Sequence, residues 1–392
     1  MTLAELVDTR HVVVCCGTGG VGKTTIAATL AIEGARRGRD AVVVTIDPAK
    51  RLANTLGLEH LSNTPHEIPR SLWRGDGDAA VHGRLHALML DTKSTFDQLV
   101  GQYAENEEQA QRILANSFYR NVAGALSGTQ EYMAMEKLYE LHASGTFELI
   151  VVDTPPTRHA LDFLDAPRRL MRLLDNRVFR LLMTPTRPAF RVTSAAAHAF
   201  VRTVARVVGR EVIDDVIAFF RAFEGMEAGF RDRANQVMTL LGAPETAFVL
   251  VTTPRRDALA EGEYFADRLT EHHMSVEALI VNRVHPRYGG EPPEQLRARA
   301  AQLRSRNGEV DRDAAARLAA RFTNLADFEE VAERERRELA GLEDRLGNAS
   351  VAYVPELDHD VFDFSALHAV GRHLVGRLPP THGTGAGSVT GG

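Results

Sequence analysis

Gly17-Thr18-Gly19-Gly20-Val21-Gly22-Lys23-Thr24-Thr25 is the stretch from which the rest of this chain is read. The apolar run Val12-Val13-Val14-Cys15-Cys16 precedes it, and Ile26-Ala27-Ala28-Thr29-Leu30-Ala31, which reads as a helix, follows. Strand, glycine loop, helix is the context in which G-x-x-x-x-G-K-[ST] works as a phosphate loop. Glycines let successive backbone N–H groups turn inward on an anion, and the helix N-terminus adds partial positive charge. Gly19, Gly20, Val21, Gly22 and Thr25 supply the cup in this reading. Lys23 reaches the β- and γ-phosphates, and the Thr24 hydroxyl binds Mg²⁺. The alternative is a glycine-rich strand–helix turn with no ligand. Composition weighs against it: of 46 Lys+Arg, only Lys23, Lys50, Lys93 and Lys137 are lysines. A chain that writes nearly every cation as Arg keeps a compact ammonium here, where a planar guanidinium would not fit.

At 392 residues the chain has room for one large α/β domain or two smaller ones. Hydrophobic residues make up 44% and charged residues 25%, the proportions of a globular protein. A net charge of -6 argues against a general nucleic-acid binder. The two cysteines, Cys15 and Cys16, are neighbours in a strand and point to opposite faces, so they cannot bridge each other. They read as small buried hydrophobes of a reducing compartment. With no secretory leader pattern and no long apolar run, the expected location is cytoplasmic.

Further apolar runs at 41–46, 85–90, 147–153, 247–252, 278–282 and 351–355 read as strands of one mostly parallel sheet. Three of them run directly into acids. The run 41–46 leads into Asp47-Pro48-Ala49-Lys50, 85–90 ends at Asp91, and 147–153 closes on Asp153 before Thr154-Pro155-Pro156-Thr157-Arg158-His159. An acid leaving the C-terminal edge of a parallel strand points into the ligand crevice. Beside a phosphate loop, Asp153 is the expected Mg²⁺ holder, and Asp47 is placed to position water near the metal. Residues 61–83 read as an irregular loop with Trp73 as its anchor.

Residues 94–146 and 160–245 read as an inserted helical subdomain. Its clearest helix carries Val216, Phe220, Phe223, Phe230, Ala234, Val237 and Leu241 on one stripe, interrupted by Glu227. Six of nine methionines lie in these blocks (Met133, Met135, Met171, Met183, Met226, Met238), where helical core is the plainer reading and an adaptable apolar surface the sharper one. Residues 284–346, with interleaved Arg and Glu, read as a solvated helical hairpin ahead of the last strand. A single domain over 1–378 and a disordered tail over 379–392 complete the organisation.

Together these stations resemble the anion-transporting ATPase family. It includes ArsA, the arsenite-pump ATPase, and the ATPase that targets tail-anchored membrane proteins, and is grouped with the MinD and ParA ATPases. The phosphate loop looks like K-G-G-x-G-K-[ST]. Asp47-Pro48-Ala49 is similar to the first switch, D-P-A, and Asp153–His159 to the second, D-T-A-P-T-G-H. The resemblance implies an α/β P-loop NTPase whose Asp47 orients the attacking water and joins Thr24 and Asp153 around Mg²⁺. It implies that Asn282 reads adenine and that Pro355 lies in the loop closing over the base. With no N-K-x-D or T-K-x-D string, ATP is expected over GTP.

The sequence departs from the family where it bears on assembly. The signature lysine, which touches the partner's γ-phosphate across a dimer, is replaced by Thr18. The expectation is therefore a dimer with a paralogous ATPase that keeps the lysine, or compensation by Arg158. With no cysteine after Cys16, neither an intersubunit C-x-x-C zinc clamp nor a thiolate arsenite site can form. The implied client is a hydrophobic protein segment or a membrane protein. A MinD/ParA-like positioning ATPase and a weakly active regulatory subunit are the other readings. The first would require a membrane helix or a basic face, and the second draws on Thr18. Because a charge supplied in trans is worth ~10³-fold or more, Thr18→Lys is expected to raise the steady-state ATPase rate of the isolated chain. An unchanged rate with and without a partner contradicts the trans-cation account.

Overall fold

In the computed structural model the described residues are 1–46, 51–74, 82–117, 119, 129–155, 165, 166, 168, 169, 171, 172, 211, 215, 216, 218, 219, 222, 225–288, 290–305 and 312–376. The first strand, β1 (Val12–Cys16), is buried at every position. A strand covered on both faces needs continuous rather than alternating apolar residues, and Val-Val-Val-Cys-Cys provides them. Its neighbours are β5 (Leu149–Asp153) on one side and β6 (Thr246–Thr252) on the other, both parallel to it and both wholly buried.

Outward from this centre the sheet continues through β2 (Asp40–Thr45), β4 (Arg84–Met89) and β3 (His66–Ile68) on one side, and through β7 (Val276–Val284) and β8 (Ser350–Pro355) on the other. The full order is β3-β4-β2-β5-β1-β6-β7-β8, and only β3 is antiparallel. The fold is thus the expected mostly parallel α/β sheet flanked by helices. The stretch 61–83 holds more order than expected. Three residues of β3 pair with β4, and a short helix α4 (Arg70–Trp73) follows. Trp73 is buried, and its indole donates to the Ile68 carbonyl at 3.1 Å, so it does anchor this edge.

Period-two side-chain alternation divides the core between the two sheet faces. Val13 and Cys15 lie with α1 (Leu3–Thr9), α2 (Lys23–Arg36), α3 (Arg51–Thr55) and α12 (Phe364–Val375). Val12, Val14 and Cys16 lie on the other face, with α5 (Thr92–Tyr103), α6 (Glu107–Ala115), α7 (Thr129–Ala143), α8 (Glu227–Leu241) and α9 (Arg256–Glu271). The cysteines therefore part to opposite cores, as adjacent strand residues must. Burial pushes the Cys16 thiol up to about 12, and raises Cys15 well above its usual value, helped by the Asp153 carboxylate. Neither is a thiolate near neutral pH.

Before the last strand, α10 (Pro293–Ser305) and α11 (Arg312–Leu346) pack as a helical hairpin. Its arginines and acids pair at the surface, as in Arg297 with Asp327 and Glu330, while Leu339 and Leu342 enter the core beneath α9. In the helical block the apolar stripe is shorter than its sequence suggests. Gly225 is in a turn at φ 90°, so α8 starts at Glu227 and carries only Phe230, Ala234, Val237 and Leu241 of the stripe; Phe220 and Phe223 lie outside the described residues. Met133, Met135 and Met226 are buried in the core, which is the plainer of the two readings of these methionines.

A buried ion pair clamps α7 to α8. Arg233 Nε lies 2.9 Å from Glu136 Oε1, and the guanidinium carbon stands 4.3 Å from the Tyr139 ring centre. Desolvation outweighs the attraction of Arg233 and pushes the Glu136 carboxyl from 4.5 up to about 7. The folded state therefore binds an extra proton between those values, so this contribution to stability is present below the lower one and is lost as pH rises through about 7. Glu136→Gln removes the titration. Urea unfolding from pH 5 to pH 8 is expected to show wild type losing about 1–3 kcal/mol more than the variant over that range; parallel curves contradict the buried-carboxyl assignment.

Candidate active site

Three parallel strands end level with one another. Cys15, Asp153 and Thr45 are register partners across β1, β5 and β2, and every chain segment leaving them emerges at the same sheet edge. From β1 the chain enters the loop 17–22, and from β2 it passes through Ile46. From β5 it passes through Thr154, whose hydroxyl donates to the Cys15 carbonyl at 2.7 Å. The Ile46 N–H donates to the Asp153 carbonyl at 3.2 Å, and the Gln130 amide of α7 donates to the Ile46 carbonyl at 2.8 Å.

The loop closes as its glycines require. Gly17 has φ 147°, and a Cβ there would stand 2.1 Å from the Val251 carbonyl oxygen. Gly22, the N-cap of α2, has φ 97°, and a Cβ there would stand 2.3 Å from Asn282 Nδ2. The cap residue has no side chain to cover the first turn of α2, whose N-terminus carries partial positive charge. Gly19 and Gly20 are exposed, whereas Lys23 is buried with its ammonium on the Gly17 and Thr18 carbonyls at 2.9 and 2.8 Å. Lys23 thus folds back over its own loop, the position from which an ammonium can meet an anion in the cup.

At the floor of the loop a single carboxylate oxygen gathers two hydroxyls. Asp153 Oδ2 accepts from Thr24 Oγ1 at 2.8 Å and from Thr45 Oγ1 at 2.9 Å. Asp153 and Thr45 are both buried. Hard oxygen donors on a carboxylate and a hydroxyl, next to an anion cup, form the donor set that Mg²⁺ takes when phosphates and water complete its shell. The residues present fit that ion. Thr45 belongs to no motif in the sequence. Its one signal is a hydroxyl at the end of an apolar strand, where β-propensity already accounts for Thr.

Asn282 Nδ2 donates to the Val21 carbonyl at 2.9 Å, and its Oδ1 accepts from the Arg283 N–H at 3.0 Å. The residue expected to meet adenine is thus also bonded to the phosphate loop. An amide has two N–H donors and a carbonyl with two lone pairs, so one of each remains for a base. Pro355 ends β8 beside it, in register with Val284. Asp47, Lys50, Arg158 and His159 lie outside the described residues.

The profile of the anion-transporting ATPase family matches residues 10–313. Among curated relatives, ATPase GET3 of Malassezia globosa is 27% identical over 305 residues, covering 76% of this chain and 81% of that protein. ATPase GET3 of Phaeosphaeria nodorum is 24% identical over 291 residues, with 72% and 79% covered. ATPase get3 of Pyrenophora tritici-repentis is 25% identical over 305 residues, with 76% and 81% covered.

Thr45→Val keeps the shape and deletes one donor to the buried carboxylate. It is expected to lower stability by about 1–3 kcal/mol and to raise the Mg²⁺ concentration for half-maximal ATPase activity several-fold, with Thr45→Ser restoring both. Denaturant melts and a Mg²⁺ titration check this, and an unchanged Mg²⁺ requirement removes Thr45 from the site.

Proposed function

The chain belongs to the anion-transporting ATPase family, and from that premise we propose that it hydrolyses ATP with Mg²⁺ in a dimer and passes the nucleotide state through two switch segments to its helical block. ATP hydrolysis is the activity of the family and of the GET3 ATPases it resembles. The observation that carries the finer reading is the junction of Lys23, Thr24 and Asp153 at one strand edge.

In this reading the main-chain N–H groups of Gly19–Thr25 take the phosphate oxygens. The Lys23 ammonium leaves the Gly17 and Thr18 carbonyls and meets the β- and γ-phosphates as the charge there grows. Thr24 and Asp153 would hold Mg²⁺, which when bound would neutralise charge on the phosphate oxygens. Asp47 orients the attacking water. Asn282 offers its remaining donor and acceptor to adenine, with Pro355 beside the base.

Coupling to the helical block has short routes. Asp153 is one residue from Thr154, which is tied to β1, and the Ile46 carbonyl immediately before Asp47 is tied to Gln130 at the start of α7. A γ-phosphate that holds both segments in one arrangement and releases them on hydrolysis would thereby shift α7 and, through Glu136 and Arg233, α8. Thr18 in place of the signature lysine supports pairing with a paralogue that retains it. The client is a hydrophobic protein segment or a membrane protein, and the working compartment the cytoplasm. Among the described residues no helix is long and apolar enough to cross a membrane.

Phosphate release from ATP by the purified chain tests the reading. Lys23→Ala and Asp153→Asn are each expected to lower kcat by on the order of 10²-fold or more while the folded spectrum persists. Wild-type turnover that survives both substitutions contradicts the site.

A further inference from the structure

The end of β7 and the loop 285–288 that follows it are held in an unusual way. Arg283 has φ 57°, a left-handed conformation that non-glycine residues adopt at a cost, and its N–H is the one that Asn282 Oδ1 accepts. Such a conformation persists only where the surroundings over-determine it. Here Arg283 is the extra residue of a bulge in β7, with Asn282 and Val284 paired to Val354 and Pro355 of β8, and the loop that follows, 285–288, is bound by two glutamates of α11. Glu335 accepts the His285 N–H at 2.9 Å with one oxygen and faces His285 Nδ1 at 2.6 Å with the other. Glu329 accepts the Tyr288 N–H at 2.7 Å and the Arg287 Nε–H at 3.2 Å. Glu329 is 0% exposed and the Glu335 side chain 13%.

Burying two carboxylates costs several kcal/mol unless each is well hydrogen-bonded. Both spend an oxygen on a main-chain N–H of the same short loop, so they fix its backbone, beyond any pairing with its side chains. Ahead of that loop, within β7, Asn282 donates to the Val21 carbonyl, and the space its amide fills is the space that a Gly22 side chain would need. The hydrogen bonds of α11 to residues 285–288, the bulged end of β7 and the Asn282 amide therefore link α11 to the peptide that shapes the anion cup.

We propose that Glu335 and Glu329 are positioning residues that strap the loop 285–288 to α11 and so hold the end of β7, with Asn282, against Val21. The hairpin of α10 and α11 thereby sets the shape of the phosphate loop and the affinity for ATP. Whatever binds or bends this hairpin then changes nucleotide affinity from outside the cup. The inference rests on reading residues 17–25 as the ATP phosphate site, and does not depend on the oligomeric state.

The test is the steady-state ATPase activity of the full chain, read as KM and kcat for ATP, with ADP binding by calorimetry alongside. Glu335→Ala is expected to raise KM for ATP and the Kd for ADP by about 5-fold or more, leaving kcat within about twofold of wild type. Glu335→Gln keeps an acceptor oxygen and is expected to bring both constants back toward wild type. His285→Ala removes only the ring arm of the strap, spares α11, and is expected to raise KM by about twofold or more; it decides the matter if Glu335→Ala fails to fold. Variants with wild-type KM and ADP affinity, with or without a lower melting temperature, reduce the strap to a structural tie and overturn the inference alone. Wild-type protein that binds neither nucleotide overturns the ATP-site reading together with it.

Discussion

The carboxylate of Asp153, shared between the Thr24 and Thr45 hydroxyls, is the contact on which the rest of the arrangement depends. It joins three elements that lie far apart in sequence: the first turn of α2, the end of β2 and the end of β5. An ionised carboxylate buried beneath a glycine loop is costly unless donors or cations meet it. Two hydroxyls meet it here, and the open N-terminus of α2 adds its partial positive charge close by. The same placement makes the carboxylate available to a cation, because a hydroxyl that donates to it can instead turn a lone pair toward metal. Structure and proposed chemistry thus use the same atoms.

This junction is rigid on one side and adjustable on the other. β1, β5 and β6 are buried along their whole length and parallel, which fixes the level of the strand ends to within a residue. Just beyond those ends the chain is tied by a few hydrogen bonds, from Thr154 to the Cys15 carbonyl and, at Ile46, to Asp153 and from Gln130, that a change at the phosphates can make or break. A stiff floor with lightly tethered exits suits a nucleotide-driven switch, because binding energy is then spent on moving the exits and little is lost in deforming the sheet.

Much of this was legible in the sequence, for physical reasons that can be named. Glycine, lysine and threonine at fixed spacing between a strand and a helix have few uses, and continuous apolar runs closing on Asp47 or Asp153 mark central parallel strands. Other features were hidden because their residues are ordinary where they stand. Thr45 passes as a β-branched strand former. His66–Ile68 is too short and polar to register as a strand, and becomes one only because β4 offers an edge. Glu329 and Glu335 look like two more charges on a solvated hairpin, since composition does not tell which glutamates turn toward a loop some 45 residues away. The break at Gly225 was likewise masked by a stripe that kept its register across it.

Amide hydrogen exchange of the full chain, with and without ATP and Mg²⁺, tests the central claim most directly. The account predicts that nucleotide slows exchange most strongly across Gly19–Thr25, with a smaller effect at the amides after Asp153. Unchanged exchange across Gly19–Thr25, with protection appearing elsewhere in the chain, would contradict it.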